Sequence, residues 1–286
     1  MKRTRKEMPA KKTTRPNDTG QTSMQDRQSE GMTFWEHLDV LRGSLIKIAI
    51  AAIVCGTVAF IFKDVVFSVI LAPKDDSFVI YRLFDKIGSF IMPGDGVGSF
   101  DLHLINTGLT GQFVIHLKVA LCLGVLLASP YILYVLFHFI SPALYDNERR
   151  YSSRVLVGSY LMFVAGVAMC YFIVFPLTLH FLGTYQVSTE VPNMITLDSY
   201  MSTLITTSLL MGLTFELPVL SWLLAKLHLL RASMMRRFRR HALVVIMIVA
   251  AVITPTTDMF TMLVVALPIW MLYEFSIFIV RRCERH

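Results

Sequence analysis

Six apolar runs dominate this 286-residue sequence and constrain its fold more than any other feature. A run of about 20 apolar residues can cross a bilayer, because a helix rises about 1.5 Å per residue and the hydrocarbon core is about 30 Å thick. Backbone N–H and C=O groups find no water there, so a run that crosses must be helical. We predict an all-α integral membrane protein with six transmembrane helices, at about 44–62, 113–140, 155–179, 199–224, 242–253 and 260–280.

The basic residues between the runs indicate the orientation. If every run crosses, 21 Lys and Arg lie on one side, four lie on the other, and two lie inside runs. The side with the excess is the cytoplasm, so both termini are predicted to be cytoplasmic. The short fifth run must then cross and return through a tight hairpin at 254–258. We expect a fifth helix that thins the membrane locally or gains length from snorkelling Arg239 and Arg240.

The polar segments complete the domain organisation. Residues 1–31 are basic and lack an apolar run, which predicts a disordered cytoplasmic tail rather than a signal peptide; contact with lipid headgroups or the ribosome is the alternative. The membrane domain covers 32–282, and 283–286 end the cytoplasmic tail. The first external loop, about 63–112, is long and carries a turn signal at 93–98, so we expect an ordered external cap.

Composition and motifs exclude several classes of protein. The chain is 55% hydrophobic and only 16% charged, against roughly 25% charged in soluble domains, which argues against a water-soluble enzyme. The sequence contains no P-loop, H-E-x-x-H or G-x-S-x-G motif. Its four Cys lack C-x-x-C spacing and are expected to be small hydrophobic side chains. We therefore predict no catalytic residue, no cofactor, no metal site and no nucleic-acid partner.

Glu216 is the most unusual residue of the apolar runs. It lies deep in the fourth run, where a carboxylate is costly and must face a cavity, a partner or a proton. Pro218 removes a backbone donor and is expected to kink this helix. The fourth run carries unusually many polar side chains, among them Thr207 and Ser208. Three interpretations stay open: a hydrogen bond to neighbouring helices that holds the bend, a polar concavity that receives another protein's transmembrane segment, or a proton relay.

Three other carboxylates lie near the ends of the runs. Glu148, between the second and third spans, either pairs locally with neighbouring arginines or accepts a ligand's guanidinium, which its two oxygens would favour over an ammonium. Asp258 is expected to be a solvated residue at the outer tip of the last hairpin. Glu274 is expected to snorkel or to pair with Arg281 or Arg282.

Motifs along 32–282 resemble one family in the same order. They are 34–42 (FWEHLDVLR), 129–134 (SPYILY), 139–145 (FISPALY) with Glu148-Arg149, Phe175-Pro176-Leu177, Phe215-Glu216-Leu217-Pro218, Thr254-Pro255 with Asp258, and Leu267-Pro268. The chain resembles TatC, the core receptor of the twin-arginine protein translocase.

The resemblance implies a receptor that binds twin-arginine signal peptides and nucleates assembly with single-span TatA/TatB-type proteins. The oligomeric complex would export folded proteins across the bacterial cytoplasmic (inner) membrane, driven by the protonmotive force. The resemblance implies no enzymatic activity and no cofactor. Membrane lipid is the other expected partner.

The resemblance also implies two sites and a surface. Glu148 would help to bind the arginine pair, in a signal-peptide site completed by Glu36, Asp39, Arg42, Phe139, Pro142, Leu144 and Tyr145. Glu216 would lie in an intramembrane groove with Pro218, Thr207 and Ser208 and dock a partner or the signal peptide. Asp258 would belong to the external hairpin, and short fifth and sixth helices would form part of the partner-binding surface.

One departure concerns the arginine site. The family motif usually reads His-Leu-x-Glu-Leu-Arg, but Val40 stands at the position of its Glu and Asp39 precedes it. One residue turns a helix by about 100°, so Asp39 can face elsewhere. Either Asp39 or Glu36 substitutes, or the site relies mainly on Glu148. A second departure is the extra Thr before Asp258.

The sequence alone leaves two other classes of function open. An ion-coupled secondary transporter would use Glu216 as its proton carrier, and it would move a small solute without any partner. An intramembrane hydrolase ranks third, because the sequence shows no nucleophile–base pair or metal cluster.

Overall fold

The structure is a computed structural model, and it describes residues 34–75, 78, 80–81, 104–140, 152–185, 194–254 and 258–284. Two units divide the chain, 1–43 and 44–286. Five helical segments of the described part are long and apolar enough to cross a membrane: Leu38–Ile61, Gly111–Phe139, Val155–Thr184, Leu197–Lys226 and Met259–Cys283. The prediction of a helical membrane protein is therefore confirmed.

The described elements run in the following order. The helices are α1 (Phe34–Ile61), α2 (Lys63–Leu71), α3 (Gly111–Ile140), α4 (Ser152–Met169), α5 (Phe175–Thr184), α6 (Leu197–Thr214), α7 (Leu217–Lys226), α8 (Ala232–Arg237), α9 (Arg239–Ile253) and α10 (Met259–Cys283). A 3-10 turn, Ala72–Lys74, follows α2, and a π-helical turn, Cys170–Val174, joins α4 to α5. Two short strands, β1 (Leu104–Ile105) and β2 (Ile195–Thr196), pair in parallel.

The last two long helices differ in length. Helix α9 has 15 residues, so the fifth helix is short, as expected. The prediction of a short sixth helix is wrong, because α10 has 25 residues. Pro268 lies buried inside α10 without ending it, since one proline removes only one backbone hydrogen bond. The helix also continues beyond the apolar run through Arg281 and Arg282.

Two prolines interrupt otherwise continuous spans. Pro218 lies in the first turn of α7, and the chain forms a turn at Phe215 and Glu216 between α6 and α7. The predicted kink is thus confirmed as a break. Pro176 lies in the first turn of α5, directly after the π-helical turn. A proline cannot donate to the carbonyl four residues earlier, and a π-helical turn is one way in which a helix absorbs that loss.

Three tyrosines fasten the first part of the long loop to the helices. The hydroxyl of Tyr171 donates to the Val69 carbonyl at 2.5 Å, and that of Tyr200 donates to the Ile70 carbonyl at 2.9 Å. The hydroxyl of Tyr81 lies 3.1 Å from the Pro73 carbonyl and 3.2 Å from that of Pro176. The hydroxyls of Tyr171 and Tyr200 thus add donors for carbonyls in the last turn of α2, where the helix leaves carbonyls without the usual partners. The turn predicted at 93–98 lies outside the described residues.

The core lies where α3, the π-helical turn, α5, α6, α9 and α10 meet. Its fully buried side chains include Val119, Cys170, Met211, Ala250 and Val265. None of the four cysteines, all of them described, is in a disulfide. Within the described ranges, no group of His, Cys, Asp and Glu is arranged to hold a metal ion.

Candidate functional site

Glu216 lies at the break between α6 and α7, where the interrupted helix leaves room for a polar side chain. Its Oε2 oxygen accepts a hydrogen bond from the Ser159 hydroxyl at 2.5 Å. Ser159 belongs to α4 and has no exposed surface. A fully buried hydroxyl on the neighbouring helix thus holds one of the two carboxyl oxygens of Glu216.

The other half of the carboxyl group has a different environment. Oε1 of Glu216 is buried, and no group among the described residues donates a hydrogen bond to it. Buried polar atoms almost always have a hydrogen-bond partner, and leaving one unsatisfied costs about 1–3 kcal/mol. Oε1 is therefore the atom of this site with the capacity to accept an incoming donor.

Two glycines allow the close contact that brings Ser159 to Glu216. A Cβ added to Gly166 would lie 2.8 Å from the Met211 carbonyl oxygen, and one added to Gly212 would lie 2.8 Å from the Phe163 ring. Both distances are shorter than real side chains tolerate, so α4 and α6 pack at glycine distance. Ser159 and Gly166 are seven residues apart and lie on one face of α4. The packing at Gly166 thus places Ser159 against the end of α6.

The other predicted groove residues lie inside the helix bundle. Thr207, Ser208 and Pro218 are all buried. The Ser208 hydroxyl donates to the Cys170 thiol at 3.5 Å, which makes it a contact between α6 and the π-helical turn. The contact of Ser159 with Glu216 was not predicted from the sequence. The sequence shows a hydroxyl on the preceding span, but it does not show that this hydroxyl lies level with Glu216.

Most of the predicted signal-peptide site cannot be placed. Glu148, Pro142, Leu144 and Tyr145 lie outside the described residues, as does the side chain of Glu36. Asp39 and Arg42 are exposed on α1, one helical turn apart, and Phe139 is half-buried near the end of α3. The described residues therefore do not test how the carboxylates of this site are arranged.

Asp258 has a defined structural role instead of being only a solvated turn residue. Its Oδ2 oxygen accepts a hydrogen bond from the Thr261 backbone N–H at 2.7 Å, so Asp258 is the N-cap of α10. A cap of this kind contributes about 0.5–2 kcal/mol. An Asp directly before an apolar helical run is a recognisable start signal, so the sequence did contain this information.

Glu274 pairs with a residue other than the ones predicted. One of its oxygens accepts a hydrogen bond from the Arg239 guanidinium at 2.7 Å, so pairing with Arg281 or Arg282 is wrong. Arg239 begins α9, which packs alongside α10. The partner is 35 residues away in sequence, and only the packing of these two helices identifies it.

A second ion pair links two spans. The Lys118 ammonium lies 2.9 Å from an Asp198 oxygen, and both side chains are substantially exposed. Asp198 is in the first turn of α6, and Lys118 is in the third turn of α3. The pair explains how a lysine is accommodated inside the second apolar run.

Comparisons with known proteins agree with this architecture. The family model described as "Sec-independent protein translocase protein (TatC)" matches residues 36–268. A protein of that name from Blattabacterium sp. subsp. Periplaneta americana is 35% identical over 260 residues, covering 90% of this chain and 97% of the relative. Another from Aquifex aeolicus is 31% identical over 255 residues, covering 89% and 97%. A crystal structure of the twin-arginine translocase receptor TatC superposes with a TM-score of 0.70 at 31% identity, covering 87% of this chain and 100% of that one.

Proposed function

This chain belongs to the TatC family of Sec-independent protein translocase proteins, and from that premise we propose that Glu216 accepts a hydrogen bond from a transmembrane helix of another translocase subunit. The protein is a multi-pass membrane protein and the TatC component of the twin-arginine translocase, a receptor for twin-arginine signal peptides. It is not an enzyme. This assignment replaces the alternatives of an ion-coupled transporter and an intramembrane hydrolase.

The observation that supports this role of Glu216 is the unequal environment of its two oxygens. Oε2 is held by Ser159, while Oε1 is buried without a donor among the described residues. In hydrocarbon, a polar side chain on a single-span helix also lacks partners, so pairing it with Oε1 would satisfy both groups. The proposed partner is therefore a TatA/TatB-type protein whose membrane helix carries a neutral donor, such as an amide or a hydroxyl.

The apolar surface beside this site suits such a helix. Side chains of α9 that are four residues apart, Val244, Ile248 and Val252, are strongly exposed, as are Leu263, Leu267 and Met271 of α10. Each set forms a stripe along one helical face. We propose these stripes as part of the partner-binding surface, with lipid covering whatever the partners leave free.

The signal peptide is proposed to bind at a separate place. Its consecutive arginines would pair with Glu148, helped by Asp39 or Glu36, because a guanidinium and a carboxylate form two parallel hydrogen bonds. Arg42, Phe139, Pro142, Leu144 and Tyr145 would surround this pair. The apolar stretch of the peptide would then extend towards the groove at Glu216.

The proposed topology has six spans with both termini in the cytoplasm of a bacterium, in its inner membrane. Helix α9 would be the fifth span. Its 15 residues rise about 22 Å, which is less than the roughly 30 Å of a bilayer core. The membrane would be thinner around α9, which would lower the cost of moving a folded cargo past it under the protonmotive force.

The role of Glu216 is tested by replacing it with Gln in cells that export a twin-arginine reporter. Gln keeps the shape but carries an NH2 group in place of one oxygen, so only one of its two ends can accept a hydrogen bond, either from Ser159 or from the partner. We expect weaker cross-linking to the single-span subunit and less export, at an unchanged amount of protein in the membrane. Glu274→Gln is the matched control, because Glu274 is a membrane-helix carboxylate paired with Arg239. Wild-type cross-linking in Glu216→Gln would refute the proposal.

The peptide site has its own test. Binding of a twin-arginine signal peptide and of its twin-lysine version is measured on the purified protein in nanodiscs. We expect a strong preference for arginine that disappears in Glu148→Ala and survives in Glu216→Gln. Equal, weak binding of both peptides to the wild-type protein would mean that Val40 has removed the arginine site or that a partner subunit must complete it.

A further inference from the structure

A groove lies between α7 and the last two turns of α10, away from Glu216. It has a volume of about 430 Å³, and its lining includes Trp222, Lys226, Phe275, Phe278, Ile279 and Arg282. Trp222 and Lys226 are four residues apart, and the others follow helical spacing along α10. Each set therefore lies on one face of its helix.

The groove changes from apolar to cationic along its length. Phe275 and Phe278 are 43% and 58% exposed, so their rings present apolar surface to the surroundings. Lys226 is the last residue of α7, and Arg282 lies in the last turn of α10. Both cations therefore sit where the apolar spans end, and Trp222 is of the residue type enriched at the membrane–water interface.

The two carboxylates next to the groove residues in sequence have partners that do not line the groove. Glu274 pairs with Arg239, and Glu284 accepts a hydrogen bond from the Ala232 backbone N–H at 2.8 Å. Within the described part of the chain, no carboxylate lines the groove. Arg236 and Arg237 of α8 are exposed and do not line the groove. Two of the described side chains that line the groove are therefore cationic, and none of them is anionic.

We propose that this groove binds an anionic phospholipid. The phosphate lies between Lys226 and Arg282, and an acyl chain runs over Phe275 and Phe278. A basic pocket between transmembrane helices is a favourable place for an anionic headgroup. The volume of about 430 Å³ has room for a headgroup and part of an acyl chain.

The test is lipid retention by the purified full-length protein, measured by native mass spectrometry with phosphatidylglycerol and with phosphatidylcholine. We expect phosphatidylglycerol to be retained about tenfold better, because two cations contact its headgroup. The double variant Lys226→Gln/Arg282→Gln should lose this preference. The matched control Arg236→Gln/Arg237→Gln removes the same charge from exposed positions on α8 and should keep it.

Several results would overturn the proposal. Equal retention of the two lipids by the wild-type protein would do so, as would an equal loss in the control variant. Displacement by soluble glycerol phosphate would show a site for anions rather than for lipid. A photo-cross-linker at Phe278 that captures a single-span subunit in place of a photoactivatable lipid would assign the groove to a protein partner. If the double variant does not insert, each single variant should lose part of the preference, and no loss in either would count against the site.

Discussion

Ser159 donates a 2.5 Å hydrogen bond to Oε2 of Glu216 across the interface of α4 and α6, although the two residues are 57 positions apart. The bond selects one carboxyl oxygen and leaves the other, Oε1, buried without a described donor. An acceptor with one occupied oxygen has a defined direction of approach for its second partner. The orientation of Glu216 therefore depends on α4 as much as on the break between α6 and α7 where Glu216 lies.

Ser159→Ala tests this orientation. The substitution removes the donor while leaving Glu216 and its surroundings intact, so the carboxyl group can turn towards other partners. A hydrogen bond of this kind contributes about 1 kcal/mol, so we expect cross-linking between the Glu216 site and the single-span subunit to fall about fivefold. Ser68→Ala is the control, because Ser68 bonds only a carbonyl of its own helix, α2. Unchanged cross-linking in Ser159→Ala would show that Glu216 needs no positioning.

Gly166→Ala should destabilise the protein through the contact of α4 with α6. The new Cβ would lie 2.8 Å from a backbone carbonyl, which cannot move aside as a side-chain end can. Overpacking of this kind costs about 1–3 kcal/mol, visible as a lower melting temperature in detergent. Gly158→Ala is the matched control on the same helix, since nothing lies within 4 Å of its added Cβ. That variant should be neutral or slightly more stable, because Ala favours helix over Gly; equal losses in both would contradict the packing argument.

Asp258→Ala should weaken the start of α10. The variant loses the acceptor for the Thr261 N–H, and an N-cap contributes about 0.5–2 kcal/mol. Asp258→Ser keeps a side-chain oxygen at the same place and should restore most of the loss. Thermal unfolding of both variants and of the wild type measures the effect. Equal melting temperatures of Asp258→Ala and Asp258→Ser would show that Asp258 does not stabilise the protein by capping α10.

Tyr200→Phe should loosen the attachment of α2. The substitution keeps the ring that packs edge-on against Phe175 at 5.0 Å, but it removes the hydroxyl that bonds the Ile70 carbonyl. We expect faster hydrogen exchange at the C-terminal end of α2, by an amount equivalent to about 1 kcal/mol. Tyr160→Phe, on an exposed face of α4, is the comparison and should leave this exchange unchanged. Equal exchange rates in Tyr200→Phe and the wild-type protein would show that the Tyr200 hydroxyl does not stabilise the attachment of α2.

The positions of the spans were largely predictable from sequence, because hydropathy and proline chemistry are local properties. Five of the six apolar runs match helical segments long enough to cross. The remaining run, the fifth along the chain, forms the short helix α9. The break near Pro218 followed from its missing backbone donor. The short sixth helix was implied by the family resemblance and not by the apolar run at 260–280, which is long enough to cross, and α10 has 25 residues.

Sequence alone thus determined the fold class, the family resemblance and the choice of Glu216 as the carboxylate to explain. Tertiary structure decided which residues the polar groups contact: Ser159 of α4 for Glu216, and Arg239 rather than Arg281 or Arg282 for Glu274. The reason is physical. A span is specified by the free energy of transferring its own side chains, whereas a partner is specified by the register and distance between two helices. Here that register depends on contacts at Gly166 and Gly212 that no local pattern encodes.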